Sequence, residues 1–279
     1  MVTGAALRFE EVEGLSVGYR QAGRGAALVL LHGFLSDSRC WLPQLVGMSD
    51  SFTVIAWDAP GAGASSDPTG HFTTTEYARC LAGLLDAIGI GRAHIVGRSW
   101  GGILAQEFYR RYQERVRSLV LADTYAGWRG SLPEALWRDR LATCLTDSTG
   151  PPASLVAKFV PGALSDTAPL EVREQFAAIV REFHPVGFRL MSLSSAEVDT
   201  RDLLPTIRAP TLVLWGQDDR RSPLHIANQL HSAIPDAELA IIPRAGHVSN
   251  MEQPETFNLH VRRFCAKHDV AAWTDPPRR

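Results

Sequence analysis

Five short apolar runs constrain this chain more than any other feature of its sequence. Ala27-Leu28-Val29-Leu30-Leu31 is bounded by Gly25 and by His32-Gly33. Runs of the same kind follow at Phe52-Thr53-Val54-Ile55-Ala56-Trp57, Ala93-His94-Ile95-Val96, Ser118-Leu119-Val120-Leu121-Ala122 and Thr211-Leu212-Val213-Leu214-Trp215. Each is too short for a buried helix and lacks strict polar alternation, so they read as strands covered on both faces. Stretches with helical spacing separate them. Tyr77, Leu81, Leu84, Leu85 and Ile88 recur at helical intervals before the stop signal Gly89, and comparable stretches lie near 41–46, 102–112, 224–233 and 254–267. Strands alternating with helices require right-handed crossovers, hence an α/β fold with a mostly parallel sheet flanked by helices and the first run near its centre. Residues 7–12 and 15–20 read as a hairpin around Glu13-Gly14, and Leu239-Ala240-Ile241-Ile242 is the last strand, giving an eight-stranded sheet.

The alternation breaks after the sixth strand. Residues 125–204 are rich in Trp, Arg and Pro, show helical stretches near 133–145, 153–159, 170–183 and 185–194, and contain no convincing strand. The expected organisation is a core of residues 1–124 and 205–279, interrupted by a helical cap of residues 125–204. A chain of 279 residues suits one large domain with such an insertion. The residues from Asp269 to Arg279 read as a frayed tail.

Charge and cysteine usage exclude several function classes. A formal net charge of −2 without a basic stripe argues against nucleic acid or an anionic membrane as partner, because both require a concentrated basic surface. No apolar run approaches the roughly 18 residues of a membrane span. Met1-Val2-Thr3-Gly4 shows no charged region ahead of an apolar one, so the expectation is a cytoplasmic protein. Cys40, Cys80, Cys144 and Cys265 are far apart with no C-x-x-C pair, which predicts reduced thiols and neither a zinc site nor a disulfide framework.

Chemistry enters at Gly97-Arg98-Ser99-Trp100-Gly101, a G-x-S-x-G pattern that follows the Ala93 run and opens a helix. Strand, sharp turn and helix put the serine at the apex of a strained bend, where glycine two positions either side removes side chains that would collide. The Trp100 N–H, first of the helix, then points at whatever bonds to Ser99 Oγ. A serine hydroxyl needs a base within hydrogen-bond reach, itself held by an acid. Among nine histidines, His247 stands in the loop after the last strand, at the sheet edge where such loops deliver side chains to ligands. Asp218 and Asp219 close the preceding strand at the same edge, and only one of them can face His247. Asp123, after the sixth strand, is an alternative acid. The order Ser99, Asp, His247 is that of a nucleophile-elbow enzyme.

With these residues assembled, the chain resembles the α/β-hydrolase superfamily from about Leu15 to Phe264. Its marks are His32-Gly33-Phe34, Asp58-Ala59-Pro60-Gly61-Ala62-Gly63, Gly97-Arg98-Ser99-Trp100-Gly101-Gly102, Trp215-Gly216-Gln217-Asp218-Asp219, and Gly246-His247 leading to Glu252-Gln253-Pro254. The resemblance implies Asp219 as the acid of the catalytic triad, the backbone N–H groups of Phe34 and Trp100 as the oxyanion hole, and no cofactor or metal. Two departures from the family pattern stand out. Arg98 replaces the histidine, asparagine or leucine often found before the nucleophile, and reads either as a guanidinium tied to a local carboxylate or as a cation that meets a substrate carboxylate. The Asp58 loop lacks the central histidine or arginine of relatives and reads as structural.

The segment from Leu121 to Trp128, with His247-Val248-Ser249-Asn250, is similar to the 3-oxoadipate enol-lactonase branch, which implies a small ester or lactone as substrate and a serine esterase or lactonase activity. Trp128, Trp137, Phe188 and Met191 are candidate substrate contacts, although apolar side chains at helical spacing equally suit the cap's own packing. Meta-cleavage C–C hydrolases share the same plan and rank second. Cofactor-free perhydrolysis uses the same residues, and a non-catalytic small-molecule-binding protein of this fold is the rival from another class. Haloalkane dehalogenases and epoxide hydrolases need a carboxylate where this chain has Ser99. The expected assembly is a monomer or homodimer.

Overall fold

The computed structural model describes residues 5–151 and 153–269. The N-terminal Met1-Val2-Thr3-Gly4 and the tail residues 270–279 lie outside them, while Asp269 ends a helix. The strands are β1 (Leu7–Val12), β2 (Leu15–Ala22), β3 (Ala26–Leu31), β4 (Phe52–Trp57), β5 (Ala93–Arg98), β6 (Val116–Ala122), β7 (Thr211–Gly216) and β8 (Glu238–Ile242). They form one eight-stranded sheet in the order β1-β2-β4-β3-β5-β6-β7-β8. β1 and β2 pair antiparallel, as do β2 and β4, and the remaining pairs are parallel.

Glu13 and Gly14 both have positive φ, 52° and 81°, which is what a two-residue hairpin turn matching the strand twist demands. β3, β5 and β7 are almost wholly buried, as the continuous apolar runs require. The edge strand β8 is half exposed and reads accordingly as a weaker apolar run.

Helices α1 (Leu42–Gly47), α2 (Thr74–Ala87) and α3 (Trp100–Arg111) precede β6. α2 starts on a capping box, in which Glu76 accepts from the Thr73 N–H and Thr73 Oγ1 accepts from the Thr75 N–H. Between β6 and β7 come α4 (Trp128–Ser131), α5 (Glu134–Asp147), α6 (Ala153–Ala163), α7 (Leu170–Arg181) and α8 (Pro185–Glu197), and the described residues there add no strand to the sheet. α4 was not expected. It is a single turn, too short to show a period. α6 continues through Pro161 to Ala163 rather than stopping near 159, because it packs along α7 and proline removes only one donor in the last turn. The chain closes with α9 (Leu224–Ala233), the short α10 (Ser249–Glu252) and α11 (Pro254–Asp269).

At the crossing of β5 into α3, backbones approach too closely for any Cβ. A Cβ at Gly97 would sit 2.2 Å from the Gly101 carbonyl oxygen, and one at Gly101 would sit 2.1 Å from the Leu31 carbonyl oxygen. A Cβ at Gly91 meets nothing within 4 Å. Gly101→Ala should therefore destabilise the fold by about 2–3 kcal/mol or more, since backbone must shift, while Gly91→Ala stays within about 0.5 kcal/mol. Urea denaturation of both variants checks this, and equal midpoints would contradict it.

Candidate active site

The bend holds Ser99 at φ 54° and ψ −120°, a conformation that costs a non-glycine residue on the order of 1–3 kcal/mol and persists only where the surroundings impose it. Three contacts impose it here. The Ser99 N–H donates to the Ala122 carbonyl at the end of β6 (2.9 Å), Thr124 Oγ1 donates to the Ser99 carbonyl, and Gly102 leaves room for the Thr124 side chain. The hydroxyl is thereby lifted above the carboxyl ends of the strands.

Ser99 Oγ lies 2.8 Å from His247 Nε2, and His247 Nδ1 lies 2.8 Å from Asp219 Oδ2. Because Ser222 Oγ donates to Asp219 Oδ2 (2.6 Å), the Nδ1 proton has the same carboxylate as its acceptor, which leaves Nε2 unprotonated towards Ser99. Asp219 Oδ1 further accepts from the Arg221 and Ser222 N–H groups at 2.8 and 3.0 Å. Asp218 is exposed and contributes only its backbone N–H, donated to Ala245. Burial pushes the Asp219 carboxyl up, but His247 and the Ser222 hydrogen bonds outweigh it and hold the group below its ordinary range. Burial also lowers His247, against the opposing pull of Asp219 and with help from the Arg98 and Arg221 charges.

Asp123 does not touch His247 through any hydrogen bond among the described residues. Its Oδ1 accepts from the Gly216 N–H (2.7 Å) and its Oδ2 from Ser249 Oγ (2.5 Å), so it ties the loop that carries Asp219 to the loop that carries His247. Burial, then the neighbouring Asp219 charge, raises its carboxyl well above the usual range. Glu252 pins the same histidine loop from the other side, accepting from Gly246 and from Ser165 in the insertion at 2.9 Å each.

Trp100 opens α3, so its N–H has no acceptor within the helix. The His32-Gly33-Phe34 segment lies against the nucleophile: a Cβ on Gly33 would be 3.0 Å from Ser99 Cβ. His32 is buried with Nδ1 2.7 Å from the Gly33 carbonyl and Nε2 accepting from the Ala59 N–H (3.0 Å), and burial lowers it to about 4. It is therefore a neutral brace for this segment. Asp58 is likewise internal, accepting from the Ser38 and Ala64 N–H groups, and Gly63 exists to clear its carboxylate.

A cavity of about 440 Å³ opens over Ser99 and His247, walled by Phe34, Trp100, Trp128, Phe159, Phe188 and Arg221 among others. Of the expected contacts, Trp128 and Phe188 line it. Trp137 and Met191 do not: Trp137 packs between the Arg129 and Arg138 guanidinia, and Met191 is wholly buried inside the packing of α8. Arg98 is a correction. Among the described residues it is in no ion pair and does not line the cavity; its guanidinium is buried behind the site, where its charge acts on Asp123, and donates from Nη1 to the His247 carbonyl (3.2 Å), because β5 turns that side chain away from the elbow's open side. Ser222, Ser249, Arg140 and Arg221 were not singled out from sequence. Only Ser222, three residues after an acid in a turn, carried a signal, that of a hydroxyl placed to cap a carboxylate loop.

The sequence matches the alpha/beta hydrolase fold family over residues 26–254. It is 34% identical to a 2-hydroxy-6-oxononadienedioate/2-hydroxy-6-oxononatrienedioate hydrolase of Burkholderia vietnamiensis, covering 90% of this chain and 91% of that one. It is 30% identical to a putative carbamate hydrolase of Azorhizobium caulinodans over 90% and 95% of the respective chains. A malate-bound thermophilic esterase from Thermogutta terrifontis superposes with a TM-score of 0.87 at 31% identity, covering 95% of this chain and all of that one.

In an NMR titration the His247 ring should protonate below its ordinary value of 6.5, because burial disfavours imidazolium, and lower still in Asp219→Asn, which removes the carboxylate that favours it. A midpoint at or above 6.5 in the unsubstituted protein would contradict this electrostatic account.

Proposed function

We propose that this chain, which belongs to the α/β-hydrolase fold family, is a serine hydrolase that cleaves a small carboxylic ester or lactone through an acyl-enzyme. One observation carries the reading: an unbroken proton path from Ser99 Oγ through both nitrogens of His247 to Asp219, each step 2.8 Å. It sits beneath a cavity large enough for a small ester.

In this reading Ser99 Oγ attacks the carbonyl carbon while His247 Nε2 takes its proton. The oxyanion that forms is held by the N–H groups of Phe34 and Trp100, and Asp219 fixes the tautomer and stabilises the imidazolium. His247 then returns the proton to the leaving alcohol. Water, deprotonated by the same histidine, attacks the acyl carbon and restores Ser99. Residues 125–204 act as a cap over the core of residues 1–124 and 205–279, and Trp128 and Phe188 shape its acyl pocket. No cofactor takes part. The protein works in the cytoplasm as a monomer or homodimer.

Asp219 is assigned as the acid rather than Asp123, whose oxygens are committed to Gly216 and Ser249. The identity with a dioate hydrolase of Burkholderia vietnamiensis supports a second reading, C–C bond cleavage of the meta-cleavage type with the same residues. A non-catalytic binding role leaves the poised hydroxyl without a purpose.

Ser99→Ala should lower kcat/KM for p-nitrophenyl acetate by about 10³-fold or more. Asp219→Asn should cost at least tenfold more than Asp123→Asn, since a wrong tautomer defeats the base. Parallel assays on a 2-hydroxy-6-oxo-dienoate separate the two chemistries, and turnover of neither substrate class would overturn the enzyme reading.

A further inference from the structure

The two residues whose N–H groups the mechanism uses for the oxyanion both lie in the core, yet the side chains of both are held by the insertion between β6 and β7. Phe34 follows β3, and its ring meets three aromatic rings from three different helices of that insertion: Trp128 of α4 at 5.8 Å between ring centres, Phe159 of α6 at 5.9 Å and Phe188 of α8 at 5.7 Å. At these distances aromatic pairs attract one another beyond what their buried area gives. Trp100 opens α3, and its indole N–H donates to Ser194 Oγ of α8 (2.9 Å) in a hydrogen bond buried from solvent. Ser194 Oγ donates in turn to the Met191 carbonyl (2.9 Å), which leaves it an acceptor for the indole. From the core, Tyr77 of α2 packs edge-on against the same indole at 4.7 Å.

The segment that carries Phe34 needs such a hold. Hydrogen bonds to the core fix it at His32, which accepts from the Ala59 N–H, and again at Ser38, whose N–H donates to Asp58 Oδ1. Among the described residues no backbone hydrogen bond fixes Phe34, Leu35 or Ser36 between those two points. Leu35 has φ 55°, a conformation that a leucine keeps only where its surroundings impose it. Side-chain packing must therefore set where the Phe34 N–H points, and every aromatic ring against Phe34 comes from the insertion.

We propose that the insertion completes the oxyanion hole: Trp128, Phe159 and Phe188 act through Phe34, and Ser194 acts through Trp100, as positioning residues that set how the two backbone N–H groups converge above Ser99. The oxyanion itself comes from the serine hydrolase reading, on which this rests; the positioning comes from the contacts alone. The insertion then contributes to stabilising the transition state as well as to shaping the pocket, so loosening its grip should lower kcat more than it raises KM.

The test is the ratio of kcat/KM for p-nitrophenyl acetate to that for its thiono analogue, in which sulfur replaces only the carbonyl oxygen. Sulfur is a weak hydrogen-bond acceptor, so the ratio reports how well the two N–H groups hold the developing oxyanion, while folded fraction and pocket shape act on both esters alike. Ser194→Ala and the double variant Phe159→Leu/Phe188→Leu should each lower the ratio by about tenfold, less than the loss of a whole donor. Leu136→Ala, which alters the cavity wall on α5, should leave it within about twofold. Crystal structures of the two gripping variants supply a readout without turnover: the Phe34 or Trp100 nitrogen should move by about 0.5 Å or more relative to Ser99 Oγ. An unchanged ratio in both variants would overturn the positioning role, with Ser99-dependent turnover leaving the hydrolase reading intact. Should the unsubstituted protein turn over neither ester, the hydrolase reading falls and the crystal structures decide: displaced nitrogens uphold the grip, and unmoved nitrogens overturn it.

Discussion

The site depends on one close backbone contact. Gly101, in the first turn of α3, lies so near the Leu31 carbonyl at the end of β3 that no side chain fits between them, and Gly97 clears Gly101 in the same way. That contact fixes the angle at which α3 leaves β5 and holds Ser99 in a backbone conformation that serine does not adopt freely. From it follow the height of the hydroxyl above the sheet, the direction of the first helical N–H and the nearness of the His32-Gly33-Phe34 segment. The strain is local, and the parallel pairing of β5 with β3 and β6 sustains it.

Around the elbow the protein buries an uncommon density of ionisable groups: Asp123, Asp219, His247, His32 and Arg98. Burying charge is costly unless each group has partners; here the two carboxylates and the two histidines are partnered at both side-chain heteroatoms, whereas Arg98 leaves Nε and Nη2 without an acceptor among the described residues. Asp219 serves the histidine. Asp123 holds the acid loop and the histidine loop at a fixed separation. Arg98 braces the histidine loop from behind through a backbone carbonyl, and its charge works with burial to disfavour imidazolium. Burial and the Arg98 charge favour a neutral His247 that accepts from Ser99 and donates to Asp219, against the pull of the Asp219 charge towards imidazolium. Glu252 links the loop bearing His247 to the segment between β6 and β7 through the Ser165 N–H.

Much of this was legible in the chain itself. The buried runs at Ala27, Ala93 and Thr211 announced central strands because a sheet covered on both faces leaves no position for polar alternation. The glycines around Ser99 announced the bend because a Cβ there has nowhere to go. Strand order was not legible: nothing local in β2 says that it pairs with β4 rather than β3. Arg98 was misjudged for a related reason. Its neighbours in sequence place it beside the nucleophile, but alternation along β5 turns its side chain away from the cavity. Arg140 and Arg221 were missed because they come to the same cavity only once the insertion lies over the core. Trp137 and Met191 have the composition of pocket residues and the positions of packing residues, a distinction that helical spacing alone does not make.

In the proposed mechanism the bend, the histidine and two backbone N–H groups converge on one reacting carbon. The most direct measurement is a crystal structure of the protein after reaction with diethyl p-nitrophenyl phosphate, whose phosphoryl group mimics the tetrahedral intermediate. A covalent bond from phosphorus to Ser99 Oγ is expected, with the phosphoryl oxygen about 2.7–3.1 Å from both the Phe34 and Trp100 nitrogens. Phosphorylation at another residue, or an oxygen pointing away from those two N–H groups, would contradict it.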